Sequence, residues 1–216
     1  MPKVYRLDEY NPLLKGVSLI FGEGLCSNIY VIGQKKATII DTGVGNWANP
    51  IFPQLADLGV QPENIKQVIL THAHHDHAMG TYLILENASP KIFTNEKDAK
   101  YIASSFGKTL VKVQEGDIIE TELWPLRVYW TPGHTGGSIC LYNSDQRILV
   151  SGDTVFPDGN YGRYDGESGS LDSIIESLRR LTELDCEVML PGHGSPVFQD
   201  ANSHIKLSYN QASRHR

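Results

Sequence analysis

Thr71-His72-Ala73-His74-His75-Asp76-His77-Ala78-Met79-Gly80 places four imidazoles and a carboxylate within six consecutive residues, His72 to His77. Neutral imidazole offers a lone pair near pH 7, which makes histidine the commonest ligand of transition metals. The apolar run Gln67-Val68-Ile69-Leu70 precedes the cluster and reads as a buried strand. Ala78 to Leu85 reads as a helix, so the cluster lies where a strand ends and a helix begins. On such a loop the alternate side chains His72 and His74 reach one point, and Asp76 and His77 face a second point close by. His75 falls out of the alternation and points away. The plainer reading is a His-rich surface loop that holds metal by accident.

The rest of the chain weighs against that reading. His134 lies in Thr131-Pro132-Gly133-His134-Thr135-Gly136-Gly137-Ser138, Asp153 in Ser151-Gly152-Asp153-Thr154, and His193 in Pro191-Gly192-His193-Gly194. Each follows an apolar run and sits in a Gly-containing turn, where backbone packs tightly around a site. With His72, His74, Asp76 and His77 they make seven potential ligands.

HxHxDH followed by a distant His, Asp and His in that order resembles the metallo-β-lactamase-fold hydrolases, and within them the glyoxalase II-like branch. The resemblance runs from Leu25 to Pro196. It implies an α/β fold, a four-layer αβ/βα sandwich with two sheets face to face, helices outside, and metals at one edge. It assigns His72, His74 and His134 to a first metal and Asp76, His77 and His193 to a second, with Asp153 bridging both. Two divalent ions so held share a hydroxide whose pKa falls towards 7, and Asp76 orients it while still ligating. An N/O ligand set without thiolate suits zinc, and also iron or manganese; zinc is the expected metal. Asp41 ends an apolar strand beside a Gly turn. It is either a turn residue or the acidic group that the family places behind its metal histidines.

The expected function is hydrolysis of thioesters or related esters. The segment Gly162-Arg163-Tyr164-Asp165 resembles the part of glyoxalase II-like proteins that borders the substrate cleft. Arg163 falls where a basic residue meets a substrate carboxylate, unless it forms a salt bridge with Asp165. Tyr161 and Tyr164 are candidate lining residues. Glyoxalase II also carries a C-terminal helical domain that grips glutathione; only Ser195 to Arg216 follow the last ligand turn here, so a single domain over 1–216 without that unit is expected. β-Lactamases of this fold lack the bridging Asp. Lactonases place a Tyr three residues after it, where this chain has Phe156, and RNA-processing relatives add an RNA-gripping extension. The competing class is a mononuclear-iron persulfide dioxygenase, which uses the positions of His72, His134 and Asp153. A non-enzymatic binding module would be expected to lose ligands, and none is missing.

The 216 residues are 40 % hydrophobic and 20 % charged with a net charge of −6, an ordinary composition for one large globular domain. The acidic balance argues against a dominant phosphate-binding surface; no nucleic-acid or membrane partner is expected, and the resemblance implies a small-molecule substrate. No apolar run approaches the ~20 residues that span a bilayer, and Met1-Pro2-Lys3-Val4-Tyr5-Arg6 lacks a signal-peptide core, so the expected compartment is the cytoplasm. Cys26, Cys140 and Cys186 are odd in number and far apart, which reads as buried thiols rather than a disulfide framework. Strands are expected at 17–21, 26–32, 36–41, 91–94, 126–130, 139–142, 147–150 and 187–190, with two short ones within 111–123. Helices are expected at 50–58, 96–106 and 171–184, the last capped by Ser170. Residues 202–216 read as a polar tail with His204 and His215 solvated.

Overall fold

The computed structural model describes residues 3–45 and 50–215. Met1 and Pro2 of the signal-peptide reading, and Arg216 of the tail, lie outside the described residues. β1 (Val4–Arg6), β2 (Val17–Ile20), β3 (Ile29–Ile32), β4 (Ala37–Ile40), β5 (Ile65–Ile69), β6 (Lys91–Asn95) and β7 (Leu110–Val113) form one seven-stranded sheet in chain order. The first four strands pair antiparallel through short connections, and β4 to β7 pair parallel. Parallel neighbours need crossovers, and these are helical: α1 (Ile51–Asp57) before β5, α2 (His75–Ala78) and α3 (Gly80–Asn87) before β6, and α4 (Glu96–Phe106) before β7. The second sheet holds β8 (Ile118–Ile119), β9 (Leu126–Trp130), β10 (Ile139–Asn143), β11 (Ile148–Gly152) and β12 (Val188–Pro191), in the order β12-β11-β10-β9-β8. Its one parallel pair, β11 with β12, is bridged by α5 (Leu171–Leu181). α6 (Ala201–Arg214) follows β12.

The strand period of two sorts side chains into layers. Tyr30 and Ile32 of β3 join Leu141, Val150 and Leu190 between the sheets. Ile29 and Val31 face outward to Ile51, Leu55, Ile84 and Ile102 of the helices. On the other sheet Cys140 and Tyr142 face outward to Ile174, Leu178 and Ile205. The result is the four-layer α/β sandwich, in which central strands such as β10 are buried on both faces. All three cysteines are buried, and none forms a disulfide among the described residues; burial pushes the thiols of Cys140 and Cys186 up to about 11 and about 12.

Three expectations change. The helix after the His cluster begins at His75, not Ala78, because the amides of His77 and Ala78 both turn back to the His74 carbonyl. Asp76 and His77 therefore sit on a helical turn. The polar tail is a helix: Ala201, Ile205, Ser208 and Ala212 form a buried stripe at spacings that share one face. His204 is consequently not simply solvated, since its Nδ1 accepts the Asp158 amide at 2.9 Å. Ser170 caps α5 as expected, accepting from the Ser173 amide. No helix among the described residues is long and apolar enough to cross a membrane.

Candidate metal centre

Five segments deliver polar groups to one edge of the sandwich. β5 leads into Thr71-His72, α2 carries Asp76 and His77, the turn between β9 and β10 carries His134, and β11 and β12 lead into Asp153 and His193. The donors fall into three overlapping groups: His72, His74 and His134; His72, His77 and Asp153; and Asp76, His77 and His193. His75 is exposed and belongs to none of these groups among the described residues.

Hydrogen bonds on the far side of each ring decide which nitrogen faces inward. His134 Nδ1 donates to the Arg163 carbonyl at 2.8 Å, and His77 Nδ1 donates to Asp41 Oδ2 at 2.8 Å. The Thr71 hydroxyl donates to Asp41 Oδ2 at 2.8 Å, so towards His72 Nδ1, 3.1 Å away, it can only accept. The inward nitrogens of His72, His77 and His134 are then all Nε2, a lone pair in His72 and His134; in His77 the neighbouring carboxylates favour a proton there, which a bound cation would replace. Asp41 also accepts the Thr71 amide at 2.8 Å, and its place behind His72 and His77 rules out the simple turn-residue reading.

The inward atoms crowd. His74 Nδ1 lies 3.1 Å from His72 Nε2 and 2.9 Å from His134 Nε2. A single ring nitrogen carries at most one hydrogen, so at least one of these contacts sets lone pair against lone pair. His193 Nε2 lies 3.2 Å from His77 Nε2 and 3.1 Å from Asp76 Oδ2. Between the clusters, Asp153 Oδ1 is 3.4 Å from His77 Nε2, and its Oδ2 is 3.6 Å from both His134 Nε2 and His193 Nε2. Asp153 Oδ1 is buried and has no hydrogen-bond partner among the described residues. Converging lone pairs beside an unpartnered buried carboxylate oxygen are what divalent cations satisfy, so the residues fit the metals that the resemblance implies.

The electrostatics agree. Burial, reinforced by the neighbouring imidazoles, pushes His72 well below the ordinary histidine range and keeps it neutral. Burial also pulls His74 down, with His134 next in effect. Burial acts the same way on His77, but Asp153 and Asp41 outweigh it and raise that ring. Burial would raise Asp76, yet the bond from His193 and the charge of His77 hold it at about 2. Asp153 is lowered against its own burial, chiefly by His77. Both carboxylates are thus ionised at neutral pH.

The donors open onto a cleft of about 550 Å³ whose walls include Leu25, Phe156, Tyr161, Arg163 and Asp165. Leu25 is 85 % exposed at its mouth. Tyr164, a candidate lining residue from the sequence, is not in this wall, because alternate side chains of the 161–165 segment leave the cleft. Arg163 pairs with Asp165 through both Nε and Nη2, at 3.0 and 2.9 Å. Sequence reasoning passed over Asp98, whose Oδ2 accepts the Ala73 amide at 2.8 Å and the Thr135 hydroxyl at 2.9 Å. Its only sequence signal was an acidic residue in a first helical turn, where helix dipoles favour acids anyway.

The model of the metallo-beta-lactamase superfamily matches residues 22–193. A probable metallo-hydrolase of Methanocaldococcus jannaschii is 32 % identical over 86 % of this chain and 96 % of its own length. An atrochrysone carboxyl ACP thioesterase of Aspergillus fumigatus is 28 % identical over 87 % of this chain, which spans 42 % of that relative. The hydroxyacylglutathione hydrolase GloC of Haemophilus influenzae is 29 % identical over 75 % of this chain and 82 % of its own. Among solved structures, a metallo-beta-lactamase family protein of Thermus thermophilus shares the fold with a TM-score of 0.72 at 22 % identity, covering 92 % of this chain and 80 % of that one. From its sandwich, its ordered motifs and its span of the family model, the chain belongs to the metallo-beta-lactamase superfamily.

Proposed function

We propose that the protein is a binuclear metal-dependent hydrolase of thioesters or related esters. The observation that carries this reading is Asp153, which stands between two three-residue donor clusters, its Oδ2 3.6 Å from His134 Nε2 of one and from His193 Nε2 of the other, and its Oδ1 3.4 Å from His77 Nε2. His72, His74 and His134 would hold one ion, Asp76, His77 and His193 the other, and Asp153 both. Such a pair of ions, when bound, activates a water near neutral pH and polarises a carbonyl. The chain's own part is to fix the geometry. Asp41, through Thr71 and His77, and the Arg163 carbonyl, through His134, lock three rings so that their Nε2 atoms face inward. Ionised Asp76, 30 % exposed at the cleft, is placed to accept a proton from an attacking water. Leu25, Phe156 and Tyr161 supply apolar wall for an acyl or thiol chain, and Arg163 supplies a positive charge at the rim.

Relatives named as a thioesterase and as a hydroxyacylglutathione hydrolase support the substrate class. Phe156 offers no phenol where lactonases of the fold place a Tyr, which favours thioesters over lactones. A dioxygenase would need only His72, His134 and Asp153, whereas here four further donors converge with them. The test is metal analysis of protein purified without added metal, together with hydrolysis of an acyl thioester. Two ions per chain and turnover are expected, and Asp153→Ala is expected to lose both while keeping its circular dichroism. One iron per chain with oxygen uptake on a persulfide would replace this reading with the dioxygenase.

A further inference from the structure

Two buried carboxylates stand behind the two donor clusters. Asp41 serves His72 and His77, as described. Asp98, in the first turn of α4, is 1 % exposed. Its Oδ2 takes the Ala73 amide and the Thr135 hydroxyl together. Ala73 lies between His72 and His74, and Thr135 follows His134. One oxygen thus ties the two loops that carry all three imidazoles of the first cluster.

The plainer account of Asp98 is an acid that complements the helix dipole. α4 has that already: Asn95 caps it by accepting from the Lys97 amide, and Glu96 lies in the same first turn. Asp98 instead turns inward. Its Oδ1 is buried with no hydrogen-bond partner among the described residues, an arrangement that helix capping does not require. The Thr135-Gly136-Gly137-Ser138 turn is shaped around it, because a Cβ at Gly137 would overlap both Oδ1 and the backbone nitrogen of Asp98.

We infer that Asp98 is the positioning residue of the His72, His74 and His134 cluster, acting through the Ala73 amide and the Thr135 hydroxyl rather than by touching metal or substrate. It sets the separation of the two loops, and with it the approach of His134 to the His72-His74 pair. The inference rests on the two-metal reading, so the test examines that reading first. Zinc affinity is measured by competition with a chromophoric chelator. The parent is expected to bind two ions, and His193→Ala and His74→Ala one each; failure here sinks the two-metal reading and leaves Asp98 out of the matter. With those results in hand, Asp98→Ala is placed in each background. In His193→Ala, where only the first site remains, it is expected to weaken zinc about ten- to hundredfold. In His74→Ala, where only the second remains, the change is expected to stay within about twofold. Asp98→Asn, which keeps an acceptor oxygen, recovers most of the loss, and Thr135→Val, which removes one arm, gives a smaller loss at the first site alone. Equal weakening in both backgrounds, no weakening in His193→Ala, or an Asn variant as poor as Ala overturns the proposal. If the Ala variant does not fold, Asp98→Asn and Thr135→Val decide: parental affinity in Thr135→Val with His193→Ala overturns it equally.

Discussion

For Arg163 the sequence leaves two partners open, a substrate carboxylate and Asp165, and the structure pairs it with Asp165. It is 83 % exposed and already forked onto Asp165, so an acidic substrate must compete with that pair for the guanidinium. Exposed pairs are weak, and Arg163→Ala is expected to lower kcat/KM on an acidic thioester only about two- to fivefold. A neutral thioester should be unaffected, and Asp165→Asn should favour the acidic substrate by freeing the fork. Equal loss on both substrates would mean that Arg163 serves only its neighbour. Gly192 is the opposite case. The Pro-Gly-His-Gly turn was evident from sequence, but the reason for its first glycine is tertiary: a Cβ there would collide with Asp153 Oδ1 and His77 Cε1. Gly192→Ala is expected to displace Asp153, to lose metal as Asp153→Ala does, and to cost about 1–3 kcal/mol in overpacking. Metal analysis and urea denaturation on the same sample check both effects.

At the scale of elements, α6 was hidden in the sequence. Its buried stripe is Ala201, Ile205, Ser208 and Ala212, with one large aliphatic among small residues, so the helical period is too faint to read. The helix is nonetheless well seated. Ile205 is fully buried beside Ile174 and Leu178, and Ser208 Oγ lies 2.8 Å from the Asn160 carbonyl and 3.3 Å from that of Phe156. α6 thereby supports the loop that brings Phe156 to the cleft. Ile205→Ala is expected to cost about 2–5 kcal/mol, read by urea denaturation, while activity per folded molecule stays near parental. A loss of activity without loss of stability would mean that α6 acts on the cleft rather than on the core. By contrast, α4 was legible to the residue, because Phe106 and Gly107 mark its end and its buried positions Ala99, Ile102 and Phe106 recur at three and four.

At the scale of the whole molecule, the three hydrophobic clusters are built from strand and helix faces and contain none of the seven candidate ligands. The fold is therefore expected to survive metal removal. Ligands that bind only the folded state stabilise it by mass action, about 4 kcal/mol at a thousandfold excess over Kd. For a chain of this size that corresponds to roughly 8–16 °C in Tm. Chelator-treated protein should keep its far-ultraviolet circular dichroism at 25 °C and melt lower by about that much. Unfolding at 25 °C on chelation would show that the centre holds the sandwich together.

The sequence alone determined the strand runs, most helices, the family resemblance and the seven candidate ligands, because periodicity and donor chemistry are local properties. It also separated His75 from its neighbours, although His75 is exposed as the first residue of α2 and not through alternation along a loop. What the tertiary structure decided is everything that depends on two distant segments meeting. The tautomers of His72, His77 and His134 follow from Asp41, Thr71 and the Arg163 carbonyl. The removal of Tyr164 from the cleft and the pairing of Arg163 follow from the path of one loop. The role of Asp98 appears only when α4 is laid against the loops of His74 and His134. Hydrogen bonds and close contacts between remote residues leave no period in a sequence; they exist only once the sheets have closed and brought those residues to one edge.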